Sequence, residues 1–133
     1  PCTMPCDMPD NLELRGWVDD ADAQIATAGV VIGGAGDGVV SAVLSARRPY
    51  ICLPEPRPFD EQMSKANSLA AVGGAILCRE PPHPREWSDL IDRAIAQNQQ
   101  WPTCLTGESG PQRVAEWLNS LSVAAMEHKG GIA

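Results

Sequence analysis

Three short apolar runs constrain this chain more than any other feature: "GVVI" (residues 29–32), "PYICLP" (49–54) and "AILC" (75–78). None shows the alternation of a strand with one wet face. Short continuous apolar runs of this kind suit strands covered on both faces. Helix-length stretches separate them, "DGVVSAVLSARR" (37–48) and "FDEQMSKANSLAAVGG" (59–74). The first has an Asp N-cap candidate and apolar spacing near 3.6, and the second ends in glycine. Parallel strands need such crossovers, and strand–helix–strand repeats read as βαβ units of right-handed connection. The predicted fold is α/β, a Rossmann-like parallel sheet flanked by helices. A ligand is expected at the carboxyl ends of the strands.

The remaining elements are read with less constraint. Residues 12–18, "LELRGWV", alternate weakly and fit a short strand. Residues 19–28 open with acids, which suit a helix N-terminus. Residues 84–98 and 110–126 read as amphipathic helices, and residues 1–10 as irregular.

A length of 133 residues suits one domain, spanning 1–133. The net charge of −7 argues against general nucleic-acid binding, which needs a basic face. It leaves room for a nucleotide ligand, because glycine amides and a helix start hold phosphate without net positive charge. No apolar run approaches the roughly 18–20 residues of a membrane span. The first ten residues have neither the basic nor the apolar region of a signal peptide. The absence of an initiator Met points to a processed or excised piece. Of the five cysteines, Cys52 and Cys78 lie in apolar runs and read as reduced core residues. Cys2 and Cys6 lack zinc-type spacing, so no metal site is expected, and the odd count favours a reducing, cytoplasmic setting.

Gly33, Gly34, Gly36 and Gly38 fall where the first strand turns into a helix. Glycine there permits positive φ and close approach of a ligand to the backbone. The helix start offers free N–H groups and a positive dipole end to a diphosphate. The pattern is not the dinucleotide fingerprint, since Val39 stands where a third glycine is required, which weakens an NAD-binding reading. Nor is it a P-loop. A tight turn without a ligand fits the same spacing. The second loop, "PEPRPFDEQ" (54–62), leaves the next strand at the same edge of the sheet. Its Glu55, Asp60, Glu61 and Gln62 are of the type that binds sugar hydroxyls, and Arg57 is of the type that pairs with phosphate. A solvated loop whose acids open a helix fits as well.

Taken together, the lead-in "NLELRGWVDD", the glycine turn, "RPYICLP" and "DEQ" resemble the C-terminal, donor-binding domain of GT-B-fold glycosyltransferases. The likeness is greatest to the family 28 group that forms peptidoglycan lipid II by adding N-acetylglucosamine. It covers residues from about 11 to 75 strongly and the later helices loosely. It implies that Gly34, Gly36, Asp37 and Gly38 hold the diphosphate, that Glu61 and Gln62 contact the donor sugar, and that Trp17 and Val18 approach the base. It implies a nucleotide diphosphate sugar as substrate, no cofactor and no metal. It also implies an acceptor domain or partner chain carrying the catalytic base, with this chain a fragment or subunit. The chain departs from the family pattern at Gly34, where His or Arg is frequent, at Val39, usually Thr, and at Ala42, usually the Glu that grips the ribose hydroxyls. A non-catalytic binding or scaffold subunit with the same fold is the alternative. No catalytic residue is identified, and His83 and His128 read as exposed.

Overall fold

The computed structural model describes residues 9–101 and 114–119. A three-stranded parallel sheet in the order β1-β2-β3 forms its centre, from β1 (Val31–Gly33), β2 (Tyr50–Cys52) and β3 (Ile76–Leu77). Helix α1 (Ala21–Thr27) precedes β1, α2 (Asp37–Ala46) joins β1 to β2, α3 (Glu61–Ala71) joins β2 to β3, and α4 (Trp87–Asn98) follows. Residues 114–119 are helical. This is the Rossmann-like α/β arrangement that the alternation of runs predicts. Cys2, Cys6, Cys104, His128 and most of the last expected helix lie outside the described residues.

All three β2 residues are buried, which explains why the run has no polar alternation. Successive side chains point to opposite faces of the sheet. Tyr50 and Cys52 pack with Val40, Val43, Ala66 and Leu69 from α2 and α3. Ile51 packs on the other face with Ile76 and with Leu90 and Ala94 of α4. Register pairs Gly33 with Cys52, and Cys52 with Leu77, so the three carboxyl ends are level.

Local chemistry sets the helix ends. Asp20 caps α1, its Oδ1 accepting from the Ala23 N–H at 2.8 Å. The cap of α2 is Gly36, and Asp37 is its first helical residue, so the expected Asp37 N-cap does not form. Arg47 closes α2 in the left-handed region, and Gly73 (φ +73) follows the end of α3. Arg47 and Arg48 therefore lie beyond the last helical residue. The expected strand over 12–18 is absent. Gly16 sits at φ +62 there, and Leu12, Leu14 and Trp17 are exposed with no neighbouring strand to pair with.

Burial pushes the Tyr50 hydroxyl well above its ordinary value of 10.0, with Cys52 beside it adding to the shift. Burial likewise pushes up the free thiols of Cys52 and Cys78. All three are neutral in the fold at pH values where the unfolded chain ionises. The unfolded chain then binds fewer protons, so stability is full below about pH 8 and falls as pH rises through the alkaline range. Urea titrations between about pH 8 and 11 should show this decline. Tyr50→Phe should flatten the part above about pH 10 while costing about 1 kcal/mol at neutral pH, because the hydroxyl donates to the Gly34 carbonyl.

Candidate functional site

The glycine turn and the proline-rich loop leave adjacent parallel strands, β1 and β2, at their carboxyl ends. Adjacent parallel strands lie ~5 Å apart, which brings the two loops side by side. Gln62, the second residue of α3, joins them. It is buried, and its Oε1 accepts the Ala35 N–H at 2.9 Å and the Glu55 N–H at 3.0 Å. The Tyr50 hydroxyl donates to the Gly34 carbonyl from below the turn. Lys65, one helical turn after Glu61, forms an ion pair with Asp37 and lies 3.9 Å from the Glu61 carboxylate. The start of α3 therefore touches the glycine turn through Gln62 and the start of α2 through Lys65.

Positive φ is not what the turn glycines provide. Gly16 and Gly73 are the glycines with positive φ among the described residues, so Gly33, Gly34, Gly36 and Gly38 do not need it. Gly34 is required for space. A Cβ there would lie 3.0 Å from Gln62 Oε1 and 3.7 Å from the Leu53 carbonyl oxygen. Gly36 and Gly38 face open space, with nothing within 4 Å of an added Cβ. Gly36 caps α2 without a side chain, which leaves the first-turn amides uncovered by any capping group.

The expected site residues divide into three kinds. Gly34, Gly36, Asp37 and Gly38 lie together at the start of α2. Gln62 is adjacent but turned inward, its oxygen occupied by two main-chain donors. Glu61 is exposed, so the two members of the acidic-Gln pair do not share a direction. Arg57 is exposed and its guanidinium pairs with Glu55 at 2.7 Å. Trp17 is 92 % exposed, and with Val18 it lines a cavity of about 440 Å³ around residues 16–22. Another cavity, about 490 Å³, opens beside the proline-rich loop between Leu53, Pro54, Met63 and Pro81. Arg79 forms part of its wall, held by Asn67 Oδ1 at 2.8 Å. Tyr50 and Lys65 join the site only in the structure. A buried tyrosine needs a partner for its hydroxyl, and the Glu61–Lys65 spacing places a cation over the first turn of α3; both signals are in the sequence.

No family model matches the chain. Curated proteins do. A UDP-N-acetylglucosamine–N-acetylmuramyl-(pentapeptide) pyrophosphoryl-undecaprenol N-acetylglucosamine transferase of Rhodopseudomonas palustris (strain HaA2) is 30% identical over 96 residues, 71% of this chain and 26% of that protein. Its namesake from Rhodopseudomonas palustris (strain BisB18) is 36% identical over 67 residues, 50% of this chain and 18% of that protein. That of Paenarthrobacter aurescens (strain TC1) is 35% identical over 77 residues, 56% and 21% of the respective lengths. The chain thus spans about a quarter or less of the length of these relatives. Its sequence and its Rossmann-like sheet make it a relative of the glycosyltransferases of the lipid II-forming N-acetylglucosamine transferase group.

Proposed function

We propose that the chain is the donor-binding domain of a glycosyltransferase that moves a sugar from a nucleotide diphosphate sugar to an acceptor. The observation that carries this reading is the meeting of the glycine turn, the proline-rich loop and the start of α3 at one end of the sheet, in a chain related to such transferases. The uncapped first turn of α2 supplies N–H groups and a positive dipole end for the diphosphate. Gly34, Gly36 and Gly38 keep that approach clear, and Asp37 must turn aside with Lys65. Stabilising the departing diphosphate is the electrostatic part of catalysis. The acceptor site and the catalytic base belong to another domain or a partner chain, in a cytoplasmic enzyme that uses no metal. No helix among the described residues is long and apolar enough to cross a membrane.

One observation favours a second reading, a scaffold subunit that kept the fold without the donor. Ala42 and Val39 provide neither the carboxylate nor the hydroxyl of the family pattern. Calorimetric titration with UDP and UDP-N-acetylglucosamine distinguishes the two. Saturable one-site binding of both supports the donor domain; a folded chain that binds neither supports the scaffold. Residues 1–133 alone should transfer no sugar, and turnover of a UDP-sugar above a blank would overturn the assignment of the base to another domain.

A further inference from the structure

We infer that Gln62 is a positioning residue, fixing the glycine turn and the proline-rich loop relative to one another; its functional meaning rests on the donor-binding reading. Its Oε1 accepts from Ala35 and Glu55, one N–H in each loop. A carbonyl oxygen has two lone pairs and both are taken, so a sugar hydroxyl could meet Gln62 only as an acceptor from Nε2. Gln62 is also buried, at 7 % exposure. A buried amide is retained where its groups are satisfied, and here its oxygen satisfies two main-chain donors that no strand ladder reaches. Gly34 fits this arrangement, since any side chain there would press on that same oxygen. Lys65 adds a second hold on the same elements through Asp37. The first turn of α3 thereby sets where the amides of the α2 start point.

Amide hydrogen exchange followed by NMR on the ligand-free chain tests this. Q62M keeps the length of the side chain and removes the acceptor; Q62E keeps an acceptor. Exchange at both Ala35 and Glu55 should be at least about tenfold faster in Q62M, with Ile51 and Cys52 in the core unchanged, and slow again at both sites in Q62E. Unchanged exchange at either amide in a folded Q62M overturns the inference. So does fast exchange at both in a folded Q62E, and that comparison decides the matter if Q62M fails to fold. Ligand affinity separates positioning from sugar contact. Positioning lowers the affinity for UDP and for UDP-N-acetylglucosamine by the same factor, whereas a loss confined to UDP-N-acetylglucosamine overturns it. If the wild-type chain binds neither nucleotide, the donor reading fails while the exchange result still decides the role of Gln62.

Discussion

Replacing Gly34 with alanine should destabilise the chain by about 2 kcal/mol, and valine there should cost more than about 3 kcal/mol. The new Cβ would sit 3.0 Å from Gln62 Oε1. That oxygen cannot retreat freely, because the Ala35 and Glu55 N–H groups hold it from two sides. Moving it stretches or breaks both bonds, each worth about 0.5–1.5 kcal/mol net, and strands the buried Ala35 donor. Backing the turn away instead disturbs the Tyr50 hydrogen bond to the Gly34 carbonyl. Neighbouring glycines make the comparison sharp. Gly36 has φ −67 and ψ 146, a geometry any N-cap residue adopts, and open space at its Cβ. Gly36→Ser should leave stability unchanged or raise it by a few tenths of a kcal/mol. Gly38 lies within α2, where alanine should stabilise by about 0.5–1 kcal/mol. Even Gly36→Val should fold, losing about 1 kcal/mol as a poor N-cap residue, with a further effect on ligand affinity. Urea midpoints for the five variants check the order. A Gly34→Ala chain as stable as wild type would mean that Gln62 is not held as described.

The same turn shows what could and could not be read from the sequence. The apolar runs report their surroundings directly: β2 is buried on both faces, so Tyr50, Ile51 and Cys52 are unbroken by polar residues. Sheet order follows, because consecutive short runs joined by helices have few other arrangements. The glycines are legible as a turn but not for their reason. Sequence shows that a side chain is missing; only coordinates show whether φ or space requires it. Asp20 and Asp37 make the same point for caps. Both stand at helix starts, yet Asp20 caps its helix while Asp37 enters α2 and pairs with Lys65, a residue of another helix. Gln62 is the deepest case. Its distance in sequence from Ala35 gives no sign that its oxygen is taken by two main-chain donors. The failed strand over 12–18 is the reverse error, since a weak alternation means little without a partner strand.

Ala42→Glu should raise affinity for UDP about tenfold, roughly 1.4 kcal/mol, if this is a donor site that lacks its ribose grip. Ala42 lies less than two turns into α2 and is partly buried. Val39, three residues earlier on the same side of the helix, points to the carboxyl end of β1, where its Cγ1 lies 3.6 Å from the Cβ position of Gly33. Side chains on a helix lean toward its N-terminus, so a glutamate at 42 reaches back toward the glycine turn. Two hydrogen bonds donated by ribose hydroxyls to an ionised carboxylate are each worth about 1.5–3 kcal/mol before entropy and desolvation are subtracted. Opposing this, the new charge stands near Asp37 and near the diphosphate, in a chain of net charge −7. Screening by salt weakens that repulsion more than the short-range hydrogen bonds, so the gain should grow with ionic strength. Titration with UDP and with its 2′-deoxyribose analogue separates the terms. The ribose hydroxyls are responsible only if the gain for UDP is lost with the analogue. An equal gain for both, or none, would place residue 42 away from the ribose and would weaken the alignment of α2 on which the donor reading depends.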